Sequence, residues 1–134
     1  MVLIPATALL VVHERKLLLA FSSRNLAWYL PGGKVDAGES AEEALVREVR
    51  EELNCNLNTN ELNWFMEVVA PAFGEPDGHT IQQQCFFYHG NMNPEASGEI
   101  IELRFFSKDA YMREPTKVIG VIMVMDELKK EGYL

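Results

Sequence analysis

Thiol and imidazole chemistry have little to work with here: 134 residues hold two cysteines, Cys55 and Cys85, and three histidines. No C-x-x-C and no Cys/His cluster at zinc spacing occurs, which excludes a structural zinc and a disulfide framework and fits two thiols in a reducing compartment. Basic charge is also scarce. Twelve Lys and Arg face twenty Asp and Glu, a net charge of −8, which argues against an unassisted nucleic-acid or anionic-membrane surface. A long apolar run is missing too. MVLIPATALLVV is interrupted by Pro5, lacks a basic start, and ends in His13-Glu14-Arg15-Lys16; it is too short for a bilayer span and poorly built for a signal peptide. What is present is ordinary globular material, 48% apolar and 24% charged, enough for one core without staples. The expectation is a soluble, cytoplasmic, single domain over residues 1–134.

Residues 2–12 and 16–21 are apolar runs around a polar turn, which predicts a β-hairpin. Residues 22–38 read as loop, with a short extended piece at Trp28–Leu30. Ser40-Ala41-Glu42-Glu43 is a capping box, and Ala41, Ala44, Leu45, Val49 and Leu53 form one apolar stripe. The spacing predicts a helix from about 41 to 53, with Asn54 in the left-handed position after it. Trp64–Ala70, Thr80–His89 and Glu102–Ser107 read as strands, 71–79 as a Pro/Gly loop, and 117–130 as a second helix. This order predicts an α+β fold: a mixed β-sheet with a helix on each face.

The first helix is unusually acidic. Six of the twenty carboxylates fall between Glu39 and Glu52. Glu48, Glu51 and Glu52, related as i, i+3 and i+4, share a face and repel. Arg47 reaches Glu43 or Glu51 but cannot neutralise all three; a hard divalent cation with oxygen ligands can.

The run GKVDAGESAEEALVREVREELNC, Gly33 to Cys55, resembles the signature of the Nudix hydrolases, G-x5-E-x7-R-E-U-x-E-E-x-G-U with U a bulky apolar residue. Gly33, Glu39, Arg47, Glu48, Glu51 and Glu52 match, and Val49 fits. At roughly one in fifteen per position, six matches arise by chance on the order of 10⁻⁷ per starting point. Asn54 replaces the usual Gly, and Asn is the next best residue at positive φ. Cys55 replaces a larger aliphatic residue. Trp-x-x-Pro-Gly-Gly at 28–33 and the 99–106 segment extend the resemblance over most of the chain.

The resemblance implies an α/β/α sandwich and a divalent-metal-dependent hydrolase. Such an enzyme cleaves the diphosphate linkage of a nucleoside diphosphate derivative, a (d)NTP or a nucleotide sugar such as ADP-ribose, by attack of a metal-bound water. It implies that Glu48, Glu51 and Glu52, with the Gly33 carbonyl, hold Mg²⁺ or Mn²⁺, and that Arg47 and Glu39 support them. For the general base, Glu52 is the first candidate. Glu99, on a loop before the last strand, is the second, and is also a candidate metal ligand. A nucleotide-sensing domain without turnover is the alternative; the three ligand glutamates favour the enzyme. RNA cap removal conflicts with the net charge.

For a base or sugar, Phe21, Arg24, Trp28, Phe73, Gln82 and Gln84 are the candidates, by the need for a stacking plane and amide groups. Gln82 and Gln84 share one strand face, which is either a wet cavity or a solvent-facing edge. His79 reads as incidental, Glu102 with Arg104 as structural, and Phe86, Phe87, Phe105 and Phe106 as mostly core. Pro71, sixteen residues beyond Cys55, matches a marker of ADP-ribose enzymes but has a structural explanation in its loop. The partner is thus a small molecule, with neither nucleic acid nor membrane, and the chain a monomer or homodimer.

Overall fold

The first apolar run forms β1 (Val2–Leu10), whose residues Ala6–Leu10 are all buried in the computed structural model, which describes residues 2–134. A strand buried on both faces belongs inside a sheet. β1 lies between β5 (Gly32–Lys34), antiparallel, and β7 (His79–Tyr88), parallel. The outer strand β6 (Leu62–Pro71) runs antiparallel to β7, giving the order β5-β1-β7-β6. A second sheet is built on β3 (Lys16–Ser22), which pairs antiparallel with the short β2 (Val12–His13), with β4 (Ala27–Tyr29) and with β8 (Ile100–Phe106).

The expected hairpin is therefore corrected. β1 does not pair with β3. Only residues 11–13 fold back, Val12 and His13 onto Leu17 and Lys16 and the Val11 carbonyl accepting from the Leu18 N–H, through a turn in which Glu14 and Arg15 have φ of 50° and 62°, the left-handed pair that a two-residue hairpin turn requires. The near-continuous burial of β1 is satisfied by one sheet and that of β3 by the other.

Helix α1 (Ala41–Leu53) forms as predicted. The Ser40 hydroxyl accepts from the Glu43 N–H, the Glu43 carboxylate accepts from the Ser40 N–H, and Asn54 closes the helix at φ 52°, ψ 38°. Leu45, Val49 and Leu53 pack on Leu9 and Phe86 of the first sheet and Leu18 of the second. Helix α3 (Ile119–Lys130) puts Val121, Val124, Met125 and Leu128 among Ala8, Val68, Ala70 and Cys85. Ala8 and Leu9 are adjacent on β1 and so face opposite ways. The mixed sheet is thus the middle layer between two helices, as expected.

A short helix, α2 (Lys108–Met112), was not anticipated. Ser107 caps it and Tyr111 is fully buried. The Tyr111 hydroxyl accepts from the Val118 N–H and donates to the Trp28 carbonyl, tying the approach of α3 to the second sheet. Pro71 ends β6 paired with Thr80 instead of opening the loop; an edge strand tolerates a residue without an N–H. Among the described residues, no helix is long and apolar enough to cross a membrane.

Asn54→Ala is expected to lower stability by about 1 kcal/mol, because Ala has no side chain to offset the left-handed backbone, while Asn54→Gly keeps or raises it. Urea midpoints of the two variants check this order.

Candidate functional site

The site begins with two glycines. Gly32 and Gly33 lie in β5 against Ala8 and Thr7 of β1. Gly32 has φ 143°, and a Cβ there would lie 2.1 Å from the Thr7 carbonyl oxygen. A Cβ on Gly33 would lie 2.6 Å from the Glu48 carboxyl carbon. Only glycine lets this turn pass between β1 and the acidic face of α1.

Two of that face's glutamates are held by fixed partners. Glu52 accepts from the Gly32 N–H at 2.9 Å. Glu48 accepts from Arg47 Nη1 at 2.7 Å. Arg47 is in turn fixed by Glu39 in a two-point ion pair, Nε to Oε2 at 2.8 Å and Nη2 to Oε1 at 2.9 Å, and it donates to the Lys34 carbonyl. A planar guanidinium suits this sharing. Arg47 holds the Glu39 carboxyl down at about 2. Burial pushes Glu48 up, and pushes Glu52 to about 8, with Glu48, Glu99 and Glu51 adding like-charge repulsion to Glu52.

Glu99 arrives from the far side of the fold. The segment before β8 is stitched to the end of α1, where the Ser97 and Glu95 N–H groups donate to the Glu52 and Leu53 carbonyls. Gly98, at φ 60°, passes close to the Glu51 carbonyl. The Ser23 N–H and hydroxyl both donate to the Glu99 carbonyl, at 2.9 Å each. Glu48, Glu52, Glu99, Gly32 and Gly33 thereby form the acidic wall of a cavity of about 430 Å³. Its other walls mix apolar residues, Ile4, Ala6, Ile81, Val118 and Val121, with Tyr29 and Phe73 edge-to-face at 5.7 Å, and polar ones, among them Arg24, Asn25, Lys34 and Gln83.

These carboxylates and this cavity occupy the ground covered by the signature run. A family model of the NUDIX domain matches residues 2–123. The chain belongs to the NUDIX family. Over 48 residues it is 48% identical to a Bacillus subtilis (strain 168) protein named "Putative 8-oxo-dGTP diphosphatase"; the match covers 35% of this chain and about a third, 32%, of that protein. The solved structure of the MutT protein from Methanosarcina mazei Go1 superposes with a TM-score of 0.78 at 23% identity, over 99% of this chain and 97% of that one. A bifunctional NMN adenylyltransferase/ADP ribose pyrophosphatase from Francisella tularensis, solved with AMP and a Mn ion, gives 0.69 at 19% identity, over 96% of this chain and 42% of that one. The two structural likenesses carry the fold.

Within this NUDIX domain the expected residues divide. Arg24, Phe73, Glu48, Glu52, Glu99 and Gly33 line the cavity. Glu51 does not. Its side chain is 59% exposed on the outer flank of α1, 3.8 Å from Arg47. Among the described residues, no three acidic, His or Cys side chains stand at metal-holding spacing. Repulsion accounts for the dispersal: Glu48 goes to a guanidinium, Glu52 to a backbone N–H, and Glu51 to water. The hard oxygen donors of Glu48 and Glu52, the crowded like charges and the Gly33 peptide against Glu48 suit a divalent cation.

Phe21, Trp28, Gln82 and Gln84 are corrections. Phe21 pairs with Trp28 across β3 and β4, while Ala20 pairs with Tyr29. Ala20, Ser22 and Tyr29 line the cavity, and Phe21 and Trp28 point the other way. Trp28 is 4% exposed, packed edge-to-face on Phe106 with Arg104 over its ring. On β7 the cavity-lining residues are Ile81 and Gln83. Gln82 and Gln84 lie on the outer face and donate to Glu67, and Gln84 accepts from Trp64. Alternation alone would have offered Tyr29 and Gln83 as an equal choice. The Tyr29 hydroxyl is buried and unpartnered, with the Asn25 amide near it outside bonding geometry.

Between about pH 4.5 and 8 the folded, metal-free chain keeps a proton on Glu52 that the unfolded chain has released. The domain therefore loses stability as pH rises through that window. Glu52→Gln abolishes this titration, and its amide oxygen still accepts from Gly32. At about pH 8 the variant is expected to be more stable than wild type by on the order of a few kcal/mol, with the difference vanishing near pH 4. Thermal melts in EDTA at both pH values check it; parallel curves throughout would show that the Glu52 charge is not buried.

Proposed function

We propose that this NUDIX domain, taken as one domain over residues 1–134, is a divalent-metal-dependent hydrolase of the diphosphate linkage in a nucleoside diphosphate derivative. The observation that carries the reading is the meeting of Glu48, Glu52 and Glu99 with the Gly33 peptide at one wall of a cavity whose other walls suit a base. Apolar surface, the Tyr29–Phe73 pair and the Gln83 amide supply a plane and an edge. Family membership and the name of the Bacillus subtilis relative support the same reading.

Glu48, Glu51 and Glu52, with the Gly33 carbonyl, would hold Mg²⁺ or Mn²⁺. Such an ion, when bound, neutralises diphosphate charge and makes water acidic enough to attack at neutral pH. The remaining work falls to side chains. Arg47 fixes the carboxylate of Glu48 and is a positioning residue. Glu52 is the first candidate to take the proton of the attacking water, and Glu99 is the second. Arg24 and Lys34 present the cations of the cavity to the diphosphate.

The deciding experiment is phosphate-product release with Mg²⁺ and with Mn²⁺ from a panel of (d)NTPs, oxidised (d)NTPs, ADP-ribose, other nucleotide sugars, dinucleoside polyphosphates and NADH. Turnover on one group is expected. Metal binding without turnover on any compound would turn the reading to a nucleotide-sensing domain. On the active compound, Glu51→Gln and Glu52→Gln are each expected to lower kcat by roughly 10²-fold or more, since each removes a metal ligand or the base. Near-normal kcat in both would refute the metal assignment. Glu102→Gln, on the opposite face of the second sheet, is expected to leave kcat within about two-fold.

A further inference from the structure

Resting on that reading of the cavity, we infer that Glu75 is a built-in competitor for the diphosphate: its ion pair with Lys34 latches residues 72–78 over the cavity, and an entering diphosphate takes Lys34 and releases the segment.

The electrostatics of the cavity set up the competition. Among its lining residues Arg24 and Lys34 are the cations, and Asp36, Glu48, Glu52, Glu75 and Glu99 are the anions. Glu75 is not part of the acidic cluster on α1; it comes from the opposite rim, on the segment joining β6 to β7. Its carboxylate lies 2.5 Å from Lys34 Nζ, with the Lys34 side chain 62% exposed and that of Glu75 28% exposed. Lys34 follows Gly33 directly, so of the two lining cations its ammonium is the nearer in sequence to the Gly33 peptide. Lys34, and then His79 and Arg24, hold the Glu75 carboxyl below its ordinary range, so the latch is charged at neutral pH.

The ends of the segment are fixed by backbone bonds, Ala72 N–H to the His79 carbonyl at 3.0 Å and Val2 N–H to the Gly78 carbonyl at 3.2 Å, and its middle is held by side chains at the cavity. Phe73 meets Tyr29 edge-to-face, and Gly74, at φ 80°, leaves 3.0 Å between a would-be Cβ and the Asn25 side chain. The short turns inside it rest on Glu75 N–H to the Ala72 carbonyl and His79 N–H to the Pro76 carbonyl, each 3.2 Å. A solvent-screened ion pair of this kind contributes little to stability. A diphosphate gives Lys34 a more highly charged partner in the same place. A weak latch is therefore displaced by substrate without a large loss of affinity.

The test uses inorganic pyrophosphate with Mg²⁺ as the probe, and amide hydrogen exchange at residues 72–79 as a readout independent of turnover. In the free protein, Glu75→Gln and Lys34→Gln are each expected to speed exchange there about two- to five-fold, and the double variant no further, because both remove one interaction. Saturating pyrophosphate is expected to bring wild type to the rate of free Glu75→Gln. Glu75→Gln is expected to bind pyrophosphate two- to five-fold more tightly than wild type. Asp77→Asn removes the same charge from the same segment and is the control for general electrostatics. Unchanged exchange in wild type on saturation overturns the latch. So does equal tightening by Asp77→Asn, or failure of pyrophosphate to bind. If these exchange results hold while no compound of the panel is turned over, the latch stands and the hydrolase reading falls. Normal turnover with Glu75→Gln indistinguishable from wild type has the reverse meaning.

Discussion

Withdrawing glutamate carboxyls from water is the constraint around which this domain is built. Glu48 and Glu52 sit one helical turn apart on α1, and both face the glycine turn and not open solvent. Burial of a carboxylate is tolerated only where hydrogen bonds or opposite charge compensate it. Glu52 has one N–H, from Gly32, and Glu48 has one guanidinium, from Arg47. Neither is fully compensated, and the raised pKa values follow. A side chain on Gly32 would meet the Thr7 carbonyl of β1, and one on Gly33 the Glu48 carboxylate. Arg47 is itself anchored by Glu39 because a loose guanidinium would not hold one glutamate in place.

The same shortage of compensation ties stability to function. A cluster that is unsatisfied without a cation is one whose folded state gains from binding it, since any ligand that binds the native state alone stabilises it. The unfavourable charge is confined to one wall of the cavity. The opposite rim carries the Lys34–Glu75 pair, on the segment that joins β6 to β7. Rigidity where charge is positioned and looseness where a ligand enters follow from the density of contacts at each wall.

The two sheets decide what the cavity can recognise. Cavity surface on the first sheet comes from Ile4, Ala6, Ile81 and Gln83, and on the second from Ala20, Ser22 and Tyr29. In each strand the residues alternate between this surface and the opposite face. Trp28 and Gln84, chemically suited to a nucleobase, are committed elsewhere: Trp28 to the core beneath Arg104, Gln84 to the outer face beside Trp64.

The sequence by itself determined what is local. The capping box, the apolar stripe and the left-handed Asn54 involve residues within a few positions of one another, so α1 and the glutamates along it were legible before any fold was known. So was the placing of a helix on each side of a mixed sheet, because 3.6-residue and two-residue periods survive in the chain. Tertiary structure decided what depends on partners far away in sequence. That β1 and β3 enter different sheets was fixed by burial of both faces, which an apolar run records without saying against what. The side of β4 and β7 that meets the cavity is a choice between two parities of equal local propriety. The convergence of Glu99 on Glu52, 47 positions apart in sequence and held through the hydrogen bonds of Ser97 and Ser23, has no local trace at all. Hydrogen bonds and like-charge contacts between distant residues are set by packing, and packing is settled only when the whole chain has folded.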